Sequence, residues 1–119
     1  MNDIPVMQIA VAAAVLALYL FMRIRKNRRR AGLLARIQSG AKIVDVRSSS
    51  EFASGHYASA INIPVDTLSK KLKALGGLET PIIVYCASGM RSANAHRILV
   101  GAGFTDVVNA GGMSAMPAV

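Results

Sequence analysis

The chain divides into an uncharged amino-terminal stretch and a longer part in which short apolar runs alternate with polar ones. Residues 4–22 are nineteen consecutive residues without a charged side chain. As a helix rising about 1.5 Å per residue, such a stretch spans about 28 Å, close to the thickness of the hydrocarbon core of a bilayer. The pattern therefore predicts one transmembrane helix over residues 4–22.

Two other readings of this stretch fit the sequence less well. A cleaved secretory signal carries positive charge before its apolar core and small residues after it. Here Asp3 comes before the stretch, and Phe21, Met22 and Arg23 end it. A core helix of a soluble protein fits less well still, because the stretch has no polar face. A single membrane span remains the favoured interpretation.

A basic juxtamembrane segment, residues 23–30, follows the predicted span. Six of its eight side chains are positively charged: Arg23, Arg25, Lys26, Arg28, Arg29 and Arg30. Basic residues beside a span are retained on the cytoplasmic side of the membrane, and they also attract anionic lipid headgroups. We therefore expect the part that follows to be cytoplasmic and the amino terminus to face the other side.

Residues 31–119 show the alternation of helices and strands that is typical of one α/β domain with a parallel sheet. Strands are predicted at residues 42–46, 60–63, 82–85 and 105–108. Helical segments are predicted around Leu33 to Ile37, after the Ser48 run near Glu51, from Thr67 through Leu75, and over residues 91–100. The run at 82–85 has no polar alternation, which predicts a strand covered on both faces.

Composition removes several classes of function. Of the fourteen Lys and Arg residues, six lie in the juxtamembrane segment. From residue 31 onward the chain has the other eight and five Asp and Glu residues. That balance of +3 gives no support for nucleic-acid binding. One cysteine excludes an internal disulfide, and His56 and His96 lie forty residues apart in the sequence. We expect neither a metal site nor a cofactor.

The single cysteine, Cys86, follows the most apolar strand. Ligands of open α/β sheets bind beyond the carboxyl ends of the strands, although an isolated cysteine in such a place is also compatible with an inert buried thiol. A short loop of small residues then leads into a helix, so backbone N–H groups can surround an anion. The candidate anion-binding residues are Ala87, Ser88, Gly89, Met90 and Arg91. Amides, helix dipole and Arg91 together favour a thiolate at Cys86.

Three stretches, residues 44–64, 82–92 and 103–112, resemble in order and spacing the opening signature, active-site loop and closing segment of the rhodanese family. The resemblance extends from about Leu33 to Pro117. It implies a small rhodanese-like fold in which Cys86 is the nucleophile and residues 87–91 hold the substrate. Met116 departs from the pattern, because many members have tryptophan there.

The resemblance further implies a sulfurtransferase. In that family a cysteine takes sulfane sulfur from a donor such as thiosulfate, becomes a persulfide and passes the sulfur to cyanide or a thiol. Four matching signature residues are interpreted as structural, through turn and salt-bridge contacts between strand and helix: Asp45, Arg47, Glu51 and His56. Because Arg91 is the only cation of the loop, thiosulfate is not the best-matched donor, and without a second cysteine the acceptor is another molecule.

Two alternatives stay open at this point. The first is a membrane-tethered sulfur-relay or protein-binding module, which passes its persulfide to a protein and turns over small donors poorly. The second is a cysteine phosphatase or arsenate reductase, which uses a similar thiolate loop. Those sites resemble a Cys-x5-Arg loop, one residue longer than the interval from Cys86 to Arg91, so the shorter loop favours sulfur.

Overall fold

The computed structural model describes residues 5–118. Ile4, the first residue of the predicted span, and Val119, the last of the predicted domain, lie outside them. The helices are α1 (Val6–Gln38), α2 (Ser49–Ser54) and α3 (Met90–Gly101). The strands are β1 (Lys42–Asp45), β2 (Ile61–Asn62), β3 (Ile82–Cys86) and β4 (Val107–Gly112), and short 3-10 turns cover Leu68–Lys70, Leu72–Leu75 and Met113–Ala115.

The four strands form one parallel sheet in the order β2-β1-β3-β4. Lys42 of β1 lies opposite Ile82 of β3, and Ile82 lies opposite Val107 of β4. Every residue of β3 is buried, as the absence of polar alternation predicts for a central strand. The predicted α/β fold is confirmed.

Alternate residues of β3 enter two separate apolar layers. Ile82, Val84 and Cys86 face a layer formed with α3 and the 3-10 turns. Ile83 and Tyr85 face the opposite layer, which contains the following residues from both ends of the chain and from β1: Leu33, Ile43, Ala60, Ala110 and Met116. The catalytic candidate Cys86 thus belongs to the layer that α3 covers.

Helix α1 is continuous, which corrects the expectation of a span followed by a separate short helix near Leu33. Arginine and lysine are good helix formers, and Gly32 does not break the pattern of backbone hydrogen bonds. Leu33 is buried and Ile37 half-buried against the sheet, whereas the apolar stretch toward the amino terminus is not buried in the protein. By length and composition α1 is able to cross a membrane.

The helix expected from Thr67 through Leu75 is wrong in type, because this segment forms two 3-10 turns. The Thr67 hydroxyl donates to the carbonyl of Pro64 at 2.9 Å and caps no helix. Leu68 and Leu75 are both completely buried. Two tight turns, interrupted at Lys71, place both leucines in the same apolar layer, and this burial outweighs the modest helix preference of so short a segment.

The helix after β1 begins as predicted, because Ser48 forms a capping box with Glu51. Strand β4 differs from the sequence prediction, since it starts at Val107 and continues through Gly112. Its register with β3 shifts between Val84 and Tyr85, so β4 carries an extra residue there. Such a bulge redirects a strand locally, and here it brings two glycines beside Cys86.

A buried ion pair joins the ends of the central strands to the helix that follows β1. Asp45 is completely buried, and Arg47 donates to both of its carboxylate oxygens through Nε and Nη2 at 2.7–3.1 Å. The Tyr85 hydroxyl donates to Asp45 at 2.8 Å, and Arg47 Nη2 donates to the carbonyl of Gly55 at 2.6 Å. Burial raises the pKa of Tyr85 to about 12, so the hydroxyl keeps its proton. The structural role expected for Asp45 and Arg47 is confirmed.

Removing Asp45 is expected to destabilise the domain strongly. Asp45→Ala leaves the Arg47 guanidinium buried without its carboxylate, which costs about 3–5 kcal/mol of the free energy of unfolding. Tyr85→Phe removes the hydrogen bond to the same carboxylate and the one that the hydroxyl accepts from the Tyr57 N–H, and is expected to cost about 1–3 kcal/mol. Urea unfolding of the detergent-solubilised chain, followed by near-ultraviolet circular dichroism of its tyrosines, measures both.

A matched control for this prediction is the Arg36–Asp106 ion pair, which is more than a third exposed on both sides. Arg36→Ala is expected to change stability by about 0–1 kcal/mol, because water screens exposed pairs. A loss for Asp45→Ala no larger than that of the control would show that the buried pair does not hold the strands together.

Candidate active site

Cys86 is the last residue of β3 and has no exposed surface. It lies at the carboxyl edge of the parallel sheet, where ligands of such sheets bind. The loop that follows is Ala87, Ser88 and Gly89, and α3 begins at Met90. Gly89 has a φ of +102°, a conformation that a residue with a side chain rarely adopts, and this turn lets the chain enter α3 directly after the cysteine.

The sulfur of Cys86 receives hydrogen bonds from the loop and from the first turn of α3. The backbone N–H of Gly89 donates to Sγ at 2.9 Å, and the N–H of Ser92 donates at 3.4 Å. The Ser92 hydroxyl lies 3.5 Å from Sγ. The Gly89 and Ser92 N–H groups direct the positive ends of their dipoles toward the sulfur, as the sequence predicts for the loop.

The pKa of the Cys86 thiol is lowered from its ordinary value by these contacts. Burial acts in the opposite direction and is the largest single influence. The hydrogen bond between Sγ and the Ser92 hydroxyl, and those from the backbone N–H groups of Ser92, Gly89 and Ser88, together outweigh it. The site therefore favours a thiolate, the form of cysteine that acts as a nucleophile.

Ser92 was not among the site residues that the sequence singles out, although it is buried and touches the sulfur. Its hydroxyl donates to the Gly89 carbonyl at 3.0 Å and also contacts the Gly111 carbonyl at 3.4 Å. The interval of six residues from Cys86 placed it in the first turn of the predicted helix, where free N–H groups point toward the loop. That position was the signal available in the sequence.

The end of β4 supports the loop from the other side. Gly112 pairs with Cys86, and a methyl group on Gly112 would come within 2.7 Å of the Ala87 carbonyl oxygen. Gly111 has a φ of +91°, and its N–H binds the side chain of Asn109 at 2.9 Å. Only glycines allow β4 to approach the loop this closely.

Arg91, the cation predicted to stabilise the thiolate, is engaged by Glu51. Its two terminal nitrogens donate to the two carboxylate oxygens at 2.7 and 3.0 Å. The hydrogen bonds from Arg91, and after them that from Ser48, lower the pKa of Glu51 to about 2, so this pair stays charged at neutral pH. Within residues 5–118, Arg91 makes no hydrogen bond to Sγ. The Glu51 carboxylate largely neutralises its positive charge.

The other predicted residues occupy different places. Met90 is 81% exposed at the start of α3, whereas Ala87 and Ser88 are exposed on the loop. His56 stacks on Phe52 and its Nδ1 lies 3.0 Å from the carbonyl of the same residue, so it belongs to the turn after α2. Its expected structural role is confirmed.

A cleft of about 420 Å³ reaches the first turn of α3. Arg91 forms one wall, Val65 and Asp66 lie in its lining, and the remaining lining residues come from the ends of β1 and β2: Val46, Ser48, Ser49, Pro64 and Thr67. Within residues 5–118, no three His, Cys, Asp or Glu side chains are grouped closely enough to hold a metal ion. The chemistry that this edge of the sheet offers is that of the buried Cys86 sulfur and its N–H donors.

Comparison with known families gives the same assignment as the geometry. The model of the rhodanese-like domain matches residues 30–116. The chain is a member of the rhodanese family. The rhodanese domain thus includes the carboxyl-terminal part of α1, the sheet and the Cys86 loop.

Named relatives of the domain are sulfurtransferases. The thiosulfate sulfurtransferase GlpE of Pseudomonas putida is 35% identical over 77 residues, which are 65% of this chain and 69% of that protein. The thiosulfate sulfurtransferase PspE of Escherichia coli is 37% identical over 79 residues, covering 64% and 76% of the two chains. The expected enzyme class, a rhodanese-type sulfurtransferase, is confirmed.

Solved structures agree with this result. A rhodanese with anions from Escherichia coli superposes with a TM-score of 0.62 at 34% identity, covering 67% of this chain and 98% of that one. The human single-domain sulfurtransferase TSTD1 gives a TM-score of 0.62 at 31% identity, covering 66% and 82%. The fold of these structures is the fold of the rhodanese domain described above.

The rate at which iodoacetamide alkylates Cys86 is expected to rise with pH around a midpoint below about 8.5, the value of a free thiol. Ser92→Ala removes the hydrogen bond between the hydroxyl and Sγ, and because that contact lowers the pKa of Cys86, the midpoint should rise by about one pH unit. The alkylated fraction is measured by mass spectrometry of the intact chain between pH 5 and pH 10, a range chosen to bracket the ~8.5 of a free thiol.

Ser88→Ala is the matched control, because it removes an exposed hydroxyl and keeps the backbone N–H. Its midpoint should equal that of the unmodified chain. If the unmodified chain already titrates at or above the free value, Cys86 is a buried structural thiol and the loop does not activate it.

Proposed function

We propose that Cys86 carries sulfane sulfur as a persulfide, and that residues 87–91 form the pocket for the transferred sulfur. In the first step the thiolate attacks the outer sulfur of a donor, and the donor's S–S bond breaks as the new bond to Cys86 forms. The electron pair of the broken bond leaves with the rest of the donor. In the second step an acceptor thiolate or cyanide attacks the outer sulfur, and Cys86 departs as a thiolate. Both steps are displacements, and neither needs an external oxidant or reductant.

The hydrogen bonds at Sγ are the observation that carries this proposal. The N–H groups of Gly89 and Ser92 stabilise negative charge on the sulfur, which is the charge that Cys86 holds at the beginning and the end of each transfer. No second cysteine is present in the chain to take the sulfur over. The acceptor is therefore a separate molecule, either a small thiol or cyanide or the cysteine of a protein.

The ion pair between Arg91 and Glu51 favours donors of low charge. A dianion such as thiosulfate meets an arginine that is already neutralised by a bidentate carboxylate. A persulfide of a small thiol or of a protein needs less positive charge at the loop. A preference for such donors favours a sulfur-relay role, in which a protein persulfide is donor or acceptor. The relation to thiosulfate sulfurtransferases does not require thiosulfate to be the physiological donor.

The phosphatase alternative is not supported by the same geometry. A phosphoryl group on Cys86 would need several N–H donors arranged around its oxygens. Here the Gly89 and Ser92 N–H groups are directed to Sγ itself, and Glu51 occupies the Arg91 guanidinium. The loop is thus arranged for charge on sulfur.

We also propose that α1 anchors the domain in a membrane with the domain on the cytoplasmic side. The support is the uncharged stretch, which is not buried in the protein, followed directly by the basic juxtamembrane segment. An anchored sulfurtransferase works beside partners that are themselves at the membrane.

The persulfide is tested with the purified full-length chain. Treated with a persulfide of glutathione and then separated from the excess reagent, the chain is expected to have gained the mass of one sulfur atom and to form thiocyanate when cyanide is added. Cys86→Ser should abolish both, because the nucleophile is lost. Ser54→Ala, an exposed substitution on α2, should leave both unchanged.

Two outcomes contradict the proposal. Sulfur transfer that survives Cys86→Ser would remove the mechanism. Hydrolysis of an aryl phosphate by the unmodified chain at a rate comparable with sulfur transfer would favour the phosphatase function instead.

Topology is tested in intact cells of the expression host with two single-cysteine chains, both built on Cys86→Ser. One carries Asn2→Cys before the span, and the other carries Ala53→Cys on the exposed side of α2. An impermeant maleimide should label position 2 at once and position 53 only after the membrane is opened. The reverse pattern contradicts the orientation, and equal labelling of both positions in closed cells contradicts the anchor.

A further inference from the structure

The direction in which α1 leaves the domain is fixed by three side-chain contacts. Arg36 pairs with Asp106, which directly precedes β4. Toward the amino terminus of α1, Arg29 donates to the carbonyl of Asn109 in the middle of β4 at 2.9 Å. Arg30 donates to the carbonyl of Ser114, beyond the end of β4, at 3.1 Å. Residues nearer the amino terminus of α1 therefore contact residues nearer the carboxyl end of β4. The helix runs antiparallel to the strands of the sheet.

Because α1 is antiparallel to the strands, its amino-terminal part leaves the domain past their carboxyl ends. That edge carries the Cys86 loop. The opposite edge, where the strands begin, lies near the carboxyl end of α1. The uncharged stretch of α1 and the active site are consequently on the same side of the domain.

The distances along α1 place the carboxyl edge of the sheet close to the end of the uncharged stretch. From Arg30 back to Met22, the last residue of the uncharged stretch, a helix rises about 12 Å. From Arg36 the corresponding distance is about 21 Å. The headgroup layer of a bilayer is about 5–8 Å thick on each side, and a long side chain covers much of the remainder. The carboxyl edge of the sheet is therefore close to the headgroups, and the amino edge is not.

The connection between span and domain is rigid over this distance. Residues 23–38 belong to the same helix as the apolar stretch, and Leu33 is buried in the layer that contains Ile83 and Tyr85. Arg30 is partly buried against the domain, whereas the side chains before it in the juxtamembrane segment are exposed. A flexible linker would let the domain rotate, but a helix that packs into the core holds one orientation.

The surface of the carboxyl edge suits contact with lipid. Met90, next to the loop, is 81% exposed, and Met113, after β4, is 38% exposed. Both are apolar side chains at the edge that α1 directs toward the bilayer. The exposed cations of the juxtamembrane segment lie between this edge and the span, and they are complementary to anionic headgroups: Arg23, Arg25, Lys26 and Arg28.

We propose that the active-site edge of the domain faces the lipid headgroups of the membrane in which α1 is anchored. This proposal rests on the membrane anchor put forward above, and it goes beyond it by assigning an orientation to the domain. A partner that exchanges sulfur with Cys86 accordingly reaches it along the membrane surface, as a molecule or protein bound there.

The test places a fluorescent bimane label at three positions of the full-length chain, each on Cys86→Ser, in vesicles that contain anionic phospholipid. Met90→Cys reports the active-site edge, and Glu79→Cys, exposed before β3, reports the opposite edge. Val15→Cys reports the span. A lipid with a nitroxide on its headgroup is expected to quench the label at position 90 several-fold more strongly than the label at position 79.

The label at position 15 separates the two proposals. It should be quenched by a lipid with a nitroxide in its acyl chain. If it is not, the anchor itself is wrong. If it is quenched but positions 79 and 90 respond equally to the headgroup nitroxide, the anchor stands and the orientation is overturned. Stronger quenching at position 79 also overturns it.

A linker variant tests the role of the rigid helix. Inserting Gly-Ser-Gly-Ser after Asn27 interrupts α1 between the span and Leu33 without altering the packed residues. The difference between positions 90 and 79 should then fall toward zero, while the acyl-chain quenching at position 15 is unchanged. A difference that persists undiminished in the linker variant would show that α1 does not set the orientation of the edge.

Discussion

The burial of the Asp45 carboxylate is the constraint on which the rest of the domain depends. An isolated carboxylate in a core is very costly, so the fold surrounds it with the Arg47 guanidinium and the Tyr85 hydroxyl. Tyr85 immediately precedes Cys86, and Arg47 immediately precedes Ser48, which caps α2. Satisfying one buried charge thereby fixes the ends of β1 and β3 and the start of α2 relative to one another.

The geometry of the active site depends on these contacts of Asp45. Helix α2 presents Glu51 to Arg91 at the beginning of α3, and β3 presents Cys86 to the N–H groups of the loop. The thiolate is stabilised by dipoles rather than by a free cation, because Glu51 neutralises the one arginine of the loop. Dipoles held at fixed positions stabilise charge on sulfur without attracting multiply charged anions strongly. The electrostatics of the site thus fit a sulfur atom carrying a single negative charge.

Helix α1 is part of the domain as well as the proposed membrane anchor. Its last two turns fill the apolar layer opposite α3 with Leu33 and Ile37, and Arg36 reaches the start of β4. Removing the amino-terminal helix would therefore expose Ile83 and Tyr85, which α1 covers together with Met116. Met116 is only 6% exposed and closes this layer. An unbranched thioether fills an irregular space of this kind readily.

The class of the fold, the central strand and the candidate nucleophile could be predicted from the sequence, because these follow from local patterns. The unbroken apolar run at 82–85 required a strand covered on both faces, and Cys86 with its small-residue loop indicated the thiolate site. Long-range contacts were needed to show that Ser92 touches the sulfur, that Glu51 pairs with Arg91 and that Gly112, which follows the bulge in β4, lies against the loop. Only the tertiary structure decided that α1 is one helix directed past the active-site edge, and that two 3-10 turns replace the helix after Thr67. Those features depend on contacts between residues distant in the chain, whose energies outweigh local preference and leave no periodic trace in the sequence.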